Sequence, residues 1–247
     1  MVEAYIPTEQ DRQSVKMQPD KFKVSGDGAF FTIQGEGESI GKPAVFLRLN
    51  LCNLECGWCD TKYTWDRTSK EFWTEGQDWS YEKTLLELSR YPTKRLVITG
   101  GEPMIQQERI SKFIGLIPAW EVEIETNGTI APIAGLATRC QFNVSPKLKN
   151  SGNKEQSRLK PEVLQAYNAL PKTTFKFVAQ SVDDIREIDA IIAECAIDSK
   201  KIIIMPEGRN EESIRQHALA LVEEVKIRNW RLLPRLQIAL WGDRRGI

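Results

Sequence analysis

The sequence predicts an α/β protein built on an incomplete (β/α) barrel of about six parallel strands. Two patterns carry that expectation. Short apolar runs rich in strand formers alternate with segments of helical spacing along most of the chain. Small, polar or acidic residues punctuate the ends of the strand-like runs: Leu51-Cys52, Thr99-Gly100-Gly101-Glu102-Pro103, Glu125-Thr126-Asn127-Gly128, Ser145-Pro146-Lys147 and Met205-Pro206-Glu207-Gly208. A count of about six to seven strands is too small to close an eight-stranded barrel. An open doubly wound sheet fits the same pattern. In either architecture the chemistry belongs at the carboxyl ends of the strands.

The elements follow in order. Residues 1–25 are polar and aperiodic and read as an N-terminal extension to a single domain over 26–247. Val45–Leu51 is a strand. Residues 66–80, with Trp73 and Trp79, read as an insertion. Ser80 is placed to cap a helix over Tyr81–Arg90, with Leu85, Leu86 and Leu88 on its inner face. Arg95–Thr99 is a strand, and Gln106–Ile117 is a helix that Pro118 ends. Glu121–Glu125 alternates Val122 and Ile124 against acids, as a strand does. Gln141–Val144 is another strand. Pro161 opens a helix that Pro171 closes. Strand Thr173–Ala179, helix Val182–Cys195, buried strand Lys201–Met205 and helix Glu211–Arg228 come next. Residues 230–241 are expected to form a last strand and turn.

The bulk composition removes several function classes. The chain has 247 residues, 41% hydrophobic, enough for one sizeable core. Lys plus Arg and Asp plus Glu are 34 each, so the net charge is zero, with no global attraction to nucleic acid or an anionic membrane. No apolar run approaches the roughly 20 residues that span a bilayer. The first twenty residues lack the apolar core of a secretory signal. The C-terminal arginines 228, 231, 235, 244 and 245 suit a solvated face beside Glu223 and Glu224, or a meeting with an anionic substrate.

Five cysteines is an odd number, and three of them fall within eight residues. That is a metal framework rather than a disulfide framework, and it suits a reducing, cytoplasmic compartment. Cys52-x3-Cys56-x2-Cys59 follows the first strong strand. Three thiolates of one loop can hold three irons of a cubane cluster. A fourth iron then lacks a protein ligand and is open to a bound molecule. Cys140 and Cys195 lie far along the chain and read as small buried side chains. Zinc in a Cys₃His site would need His217, the one histidine, in the middle of a long helix. Trp58, just before the third cysteine, offers a flat ring for stacking on an adenine. Gln34 and Glu36 suit paired hydrogen bonds to a polar heterocycle. The Gly35-x-Gly37 beside them precedes a strand and is no dinucleotide fingerprint.

The cysteine spacing, Trp58 and Gly-Gly-Glu-Pro at 100–103 together resemble the radical S-adenosylmethionine superfamily. Ile-Gln-Gly-Glu-Gly at 33–37, Arg48, Cys-Asn-Leu-x-Cys-x-Trp-Cys-Asp-Thr at 52–61 and Thr-Gly-Gly-Glu-Pro at 99–103 more closely resemble its 7-carboxy-7-deazaguanine synthase family. The later Glu-Thr-Asn-Gly, Ser-Pro-Lys and Pro-Glu-Gly stretches agree. The resemblance runs from about residue 28 to the C-terminus.

That resemblance implies a radical S-adenosylmethionine partial barrel carrying a 4Fe-4S cluster on Cys52, Cys56 and Cys59. In this superfamily the reduced cluster passes an electron to the sulfonium of S-adenosylmethionine, and the resulting 5′-deoxyadenosyl radical abstracts hydrogen from the substrate. The family converts 6-carboxy-5,6,7,8-tetrahydropterin to 7-carboxy-7-deazaguanine with loss of ammonia, on the route to queuosine. It implies a homodimer, Mg2+ at Thr61, and a flavodoxin- or ferredoxin-type electron donor. The S-adenosylmethionine site falls on Trp58, Cys59, Asp60, Gly101, Ser145, Pro146 and Lys147, with Ile204, Met205, Pro206 and Glu207 closing over the adenosyl group. The pterin falls on Ile33, Gln34, Gly35, Arg48 and Thr99, with the Ile247 carboxylate reaching its ring. The glycines at 100–101 would let backbone approach the methionine moiety. Two other readings compete: an activating enzyme for a glycyl-radical protein within the same superfamily, and a non-catalytic iron–sulfur or zinc sensor of redox state.

Overall fold

A computed structural model describes residues 5–247; the first four residues of the expected extension lie outside the described residues. Nine strands form one open sheet: β1 (Lys21–Ile33), β2 (Pro43–Leu49), β3 (Gln77–Ser80), β4 (Arg95–Gly100), β5 (Glu121–Thr126), β6 (Gln141–Val144), β7 (Thr173–Ala179), β8 (Ile202–Pro206) and β9 (Arg231–Leu232). Their spatial order is β3-β1-β2-β4-β5-β6-β7-β8-β9. Along the run β2-β4-β5-β6-β7-β8-β9 every pairing is parallel, and from β4 onward each strand adds beside the one before it in the chain. Six of these parallel strands are substantial and the last has two residues. β1 and β3 pair antiparallel at the other edge.

Among the described residues ten α-helices accompany the sheet: α1 (Glu9–Ser14), α2 (Lys70–Thr74), α3 (Tyr81–Ser89), α4 (Gln107–Gly115), α5 (Ala134–Ala137), α6 (Glu155–Arg158), α7 (Pro161–Asn168), α8 (Val182–Cys195), α9 (Glu211–Ile227) and α10 (Leu236–Trp241). Their starts follow local chemistry. The Ser80 side chain accepts from the Lys83 N–H, and Asn210 accepts from Ser213. Pro161 opens α7, where its missing N–H costs nothing.

Alternate strand residues divide the sheet into two faces. Leu47, Leu49, Ile98, Ile124, Phe142 and Phe177 point outward and are buried against the helical layer with Ile110, Phe113, Tyr167 and Ile185. Each such side chain contributes roughly 1.5–3 kcal/mol on burial. Cys140 and Cys195 belong to this outer core, as small buried side chains. The inner face carries a small apolar cluster of Ala44, Phe46 and Val97 with Phe30 beside a set of polar and charged side chains, and it encloses the candidate site.

Four differences from the sequence expectations have physical causes. The expected boundary at 25/26 falls inside β1, where Gly26 and Gly28 take positive φ and the register shifts between Val24 and Ala29. This bulge hid the strand's alternation. Residues 66–80 are integral to the fold. Phe72 and Trp73 are buried, and β3 pairs with β1 from Lys21↔Ser80 to Val24↔Gln77. The Tyr5 N–H also donates to the Thr68 carbonyl. On α3, Leu86 points to solvent and Thr84 takes the inner position, because neighbours 100° apart cannot share one stripe with Leu88. The strand expected within 230–241 is present as the short β9, but the chain then forms α10, with Ile238 buried, in place of a turn.

Candidate active site

The carboxyl ends of β2 and β4 to β8 open on one cavity of about 530 Å³. The cysteine loop leaves β2 through Leu51, which holds φ at +76°. A non-glycine residue in that region is strained. Its N–H donates to the Thr64 carbonyl, so the far end of the loop holds the turn in place. Cys52, Cys56 and Cys59 then line the cavity together. Burial pushes the Cys52 thiol up to about 12 and raises that of Cys56; Lys147 opposes the shift at both. N–H donors meet two of the sulfurs: Asn153 Nδ2 to Cys56 at 3.3 Å and the Thr61 backbone to Cys59 at 3.4 Å. Such donors stabilise thiolate and tune a cluster bound to it. Among the described residues no three His, Cys, Asp or Glu groups converge on a single-ion site. A cubane differs, since each thiolate takes its own iron. Three cysteines on one loop, two of them supported by N–H donors, with no fourth nearby among the described residues, fit a cluster with one open iron.

The loops around the cysteines clamp them. Gly57 and Glu55 N–H groups donate to the Ser151 carbonyl and to Asn153 Oδ1. The Trp58 indole N–H donates to Asn150, and Lys147 Nζ lies 5.6 Å from the ring centroid. Gly100 and Gly101 line the cavity and also have a packing role. A Cβ on Gly101 would sit 2.0 Å from the Leu51 carbonyl oxygen, and one on Gly100 the same distance from that of Leu49. The glycines therefore let the end of β4 press against the start of the cysteine loop. Glu102, fully buried, accepts from the N–H groups of Met104 and Asn127 and from the Thr126 hydroxyl. Burial raises its pKa.

An interior polar network forms the opposite wall. Gln34 is buried; its amide donates to Glu123 at 3.1 Å and Glu125 at 2.9 Å, and its oxygen accepts from the Glu36 N–H. The Thr99 hydroxyl donates to Glu125 at 2.6 Å. Glu36 pairs with Lys176 and with Arg235, and Gln237 donates to it at 2.7 Å. Burial pushes the Glu36 carboxyl up, but Lys176 and Arg235 outweigh burial and hold it well below the usual carboxylate range. In the free protein Gln34 and Glu36 are thus hydrogen-bonded to the protein itself, and both line the cavity. Arg48, by contrast, has no ion-pair partner among the described residues; its guanidinium lies 5.3 Å from the Phe30 ring centroid and faces the cavity.

The structure brings most of the expected residues to one room. Ile33, Gln34, Gly35, Arg48, Trp58, Cys59, Asp60, Thr61, Thr99, Gly101, Ser145, Lys147, Met205, Glu207 and Ile247 all line the cavity. Pro146 and Pro206 are not on its wall, and the Ile204 side chain is buried in the outer core. Sequence reasoning overlooked Lys176 and Asn153, and named Glu125 only as part of a strand end and Arg235 only among five C-terminal arginines. Lys176 carried a signal, as a lone cation in the otherwise apolar run of β7. His217 donates to or accepts from nothing at the cysteines; its Nδ1 lies 2.7 Å from the Glu207 carbonyl.

A curled, mostly parallel sheet with a three-cysteine loop at its carboxyl edge defines an iron–sulfur enzyme of the radical S-adenosylmethionine type. Residues 33–131 match the family described as a 4Fe-4S single cluster domain. The chain is 34% identical to a 7-carboxy-7-deazaguanine synthase of Pyrobaculum aerophilum, covering 88% of this chain and 94% of that one. It is 33% identical to the same enzyme of Rhodopirellula baltica, over 88% and 86% of the two chains. The crystal structure of QueE from Escherichia coli superimposes with a TM-score of 0.68 at 28% identity, covering 94% of this chain and all of that one. The chain belongs to the 7-carboxy-7-deazaguanine synthase family.

Proposed function

We infer that the protein converts 6-carboxy-5,6,7,8-tetrahydropterin to 7-carboxy-7-deazaguanine with loss of ammonia, a step towards queuosine. One observation carries this reading beyond family membership. Three cysteines with an open fourth position and an unpaired arginine line the same cavity. A cluster-bound cofactor and a small anionic substrate thus share one enclosure. An activating enzyme for a protein partner has no use for that arginine, and a sensor has no use for the enclosure.

Cys52, Cys56 and Cys59 hold the cluster. When bound and reduced, it supplies the electron that cleaves S-adenosylmethionine and starts hydrogen abstraction. The protein binds, orients and excludes water. Trp58 offers its ring to the adenine, held by Asn150. Arg48 takes the substrate carboxylate as a charge-assisted pair. Thr99 is oriented by Glu125, and its position at the end of β4 suits contact with the pterin. Magnesium belongs beside Thr61, whose oxygen suits a hard cation and which lines the cavity two residues past Cys59. Five free cysteines suit a reducing cytoplasm, and a flavodoxin- or ferredoxin-type donor and a homodimer complete the reading. No helix among the described residues is long and apolar enough to cross a membrane.

Anaerobic turnover of reconstituted, reduced protein with S-adenosylmethionine, magnesium and the carboxytetrahydropterin tests it by mass spectrometry. Carboxydeazaguanine is the expected product. Formation of methionine and 5′-deoxyadenosine without it would reopen the substrate, and a full cluster yielding neither would overturn the enzymatic reading.

A further inference from the structure

We propose that Arg235 is a positioning residue for S-adenosylmethionine, acting through Asp60. Arg235 precedes α10, yet its side chain crosses to the rim of the cavity and is only 14% exposed. Each of its three guanidinium nitrogens reaches a different loop at the carboxyl edge. Nε donates to Glu36 at 2.9 Å in the loop after β1, Nη1 donates to the Gly208 carbonyl at 3.0 Å after β8, and Nη2 meets Asp60 Oδ2 in the cysteine loop.

The surroundings make this contact a constraint. Glu36 is itself fixed by Lys176 and Gln237, so Arg235 is anchored at its inner end and cannot follow a moving partner. The Leu236 N–H donates to the Gly35 carbonyl, which pins the backbone beside it. Gly35 suits this close approach, since a Cβ there would lie 2.9 Å from the Gln237 backbone nitrogen. Asp60 directly follows Cys59 and is partly exposed to the cavity. Arg235 holds one of its carboxylate oxygens, and the other has no partner among the described residues. A carboxylate fixed by one oxygen presents the other in a set direction. Beside the cluster, that direction serves a hydroxyl or amino donor of the adenosyl group. Only a planar fork spans three loops at once; a lysine, a single point of charge, does not.

This inference rests on the assignment of Asp60 to the cofactor site, and the test separates the two. Asp60→Asn, Arg235→Gln, the double variant and Arg235→Lys are reconstituted anaerobically. Iron content is measured, S-adenosylmethionine binding is titrated, and the electron paramagnetic resonance of the reduced cluster is recorded with and without the cofactor. With iron unchanged, Asp60→Asn and Arg235→Gln should each weaken cofactor binding about tenfold and blunt the spectral change. The double variant should be no worse than either single one, because both remove one device. Arg235→Lys should recover part of the affinity at most. If Asp60→Asn binds the cofactor as wild type does, the Asp60 assignment fails. If Asp60→Asn is weakened while Arg235→Gln is not, or if the two effects multiply, the role of Arg235 is overturned. Should Arg235→Gln fail to take up iron, Arg235→Lys with full wild-type affinity overturns it equally.

Discussion

The Glu102 carboxylate accepts the Asn127 backbone N–H at 2.7 Å and so joins the ends of β4 and β5 beneath the cysteine loop. The same side chain caps the turn at Met104 and accepts from Thr126. Its own N–H donates to the Leu51 carbonyl at 2.7 Å. The Gly-Gly-Glu-Pro stretch is thus a weld between three strand ends. Glu102→Ala would strand three buried donors, and the expected loss is about 3 kcal/mol or more. Denaturant unfolding of the apoprotein measures it. A loss under about 1 kcal/mol would mean water replaces the carboxylate at little cost.

Iron uptake separates the two kinds of cysteine. Cys56→Ala should leave the reconstituted protein without its visible cluster absorbance, since two thiolates cannot hold the cubane. Cys195→Ala, in the outer core, should keep full iron and lose about 1 kcal/mol of stability through the small cavity it leaves. Equal iron in both variants would contradict the assignment of the cluster to the Cys52–Cys59 loop.

Much of this site was legible because its chemistry is local. Cys52, Cys56 and Cys59 announce themselves by spacing, and Gly100-Gly101-Glu102-Pro103 by position at a strand end. The parallel strands β4 to β8 were legible for the same reason, each being a short apolar run. What escaped was set by topology. Glu123 and Glu125 alternate with Val122 and Ile124 as a half-solvated strand would, yet β5 lies mid-sheet and its second face is the cavity interior. Arg235 and Glu36 lie at opposite ends of the chain, and nothing in either segment foretells the pair. β1 was hidden by its bulge and α10 by the Pro234 before it.

Glu36 predicts a pH dependence. Its folded pKa lies below the ordinary value of 4.5 because Lys176 and Arg235 outweigh burial. A carboxylate lowered in this way stabilises the fold above the unfolded value, and that contribution is lost as pH falls through the folded one. Wild-type stability should therefore fall more steeply than that of Glu36→Gln between about pH 5 and 3. At neutral pH the variant should be less stable by about 3 kcal/mol, because Lys176 and Arg235 lose their counter-charge. Superimposable slopes from denaturation series would show that Glu36 is not coupled to folding.

Thr61 predicts a metal dependence. Its hydroxyl lies 3.5 Å from the Cys59 sulfur, at the junction between the cysteine loop and the cavity. Thr61→Ala should shift the magnesium titration of turnover to higher concentration, about tenfold, with iron content unchanged. An unmoved titration would remove the cation from this position.

Arg48 predicts a division between cofactor chemistry and substrate chemistry. Its guanidinium faces the cavity from β2 near the Phe30 ring and has no ion-pair partner among the described residues. A substrate carboxylate would make a forked pair with it, worth roughly 1.5–3 kcal/mol for charged hydrogen bonds. Arg48→Ala should lower kcat/KM for the pterin about a hundredfold, mainly by raising KM. Arg48→Lys should recover part of the loss, since it restores the charge without the fork. Cofactor affinity should stay as in the wild type in both variants, because among the described residues the loop's clamps are Asn150, Ser151 and Asn153 and Arg48 forms no ion pair or hydrogen bond with them. A variant that lost cofactor binding and pterin turnover together would move Arg48 out of the substrate site.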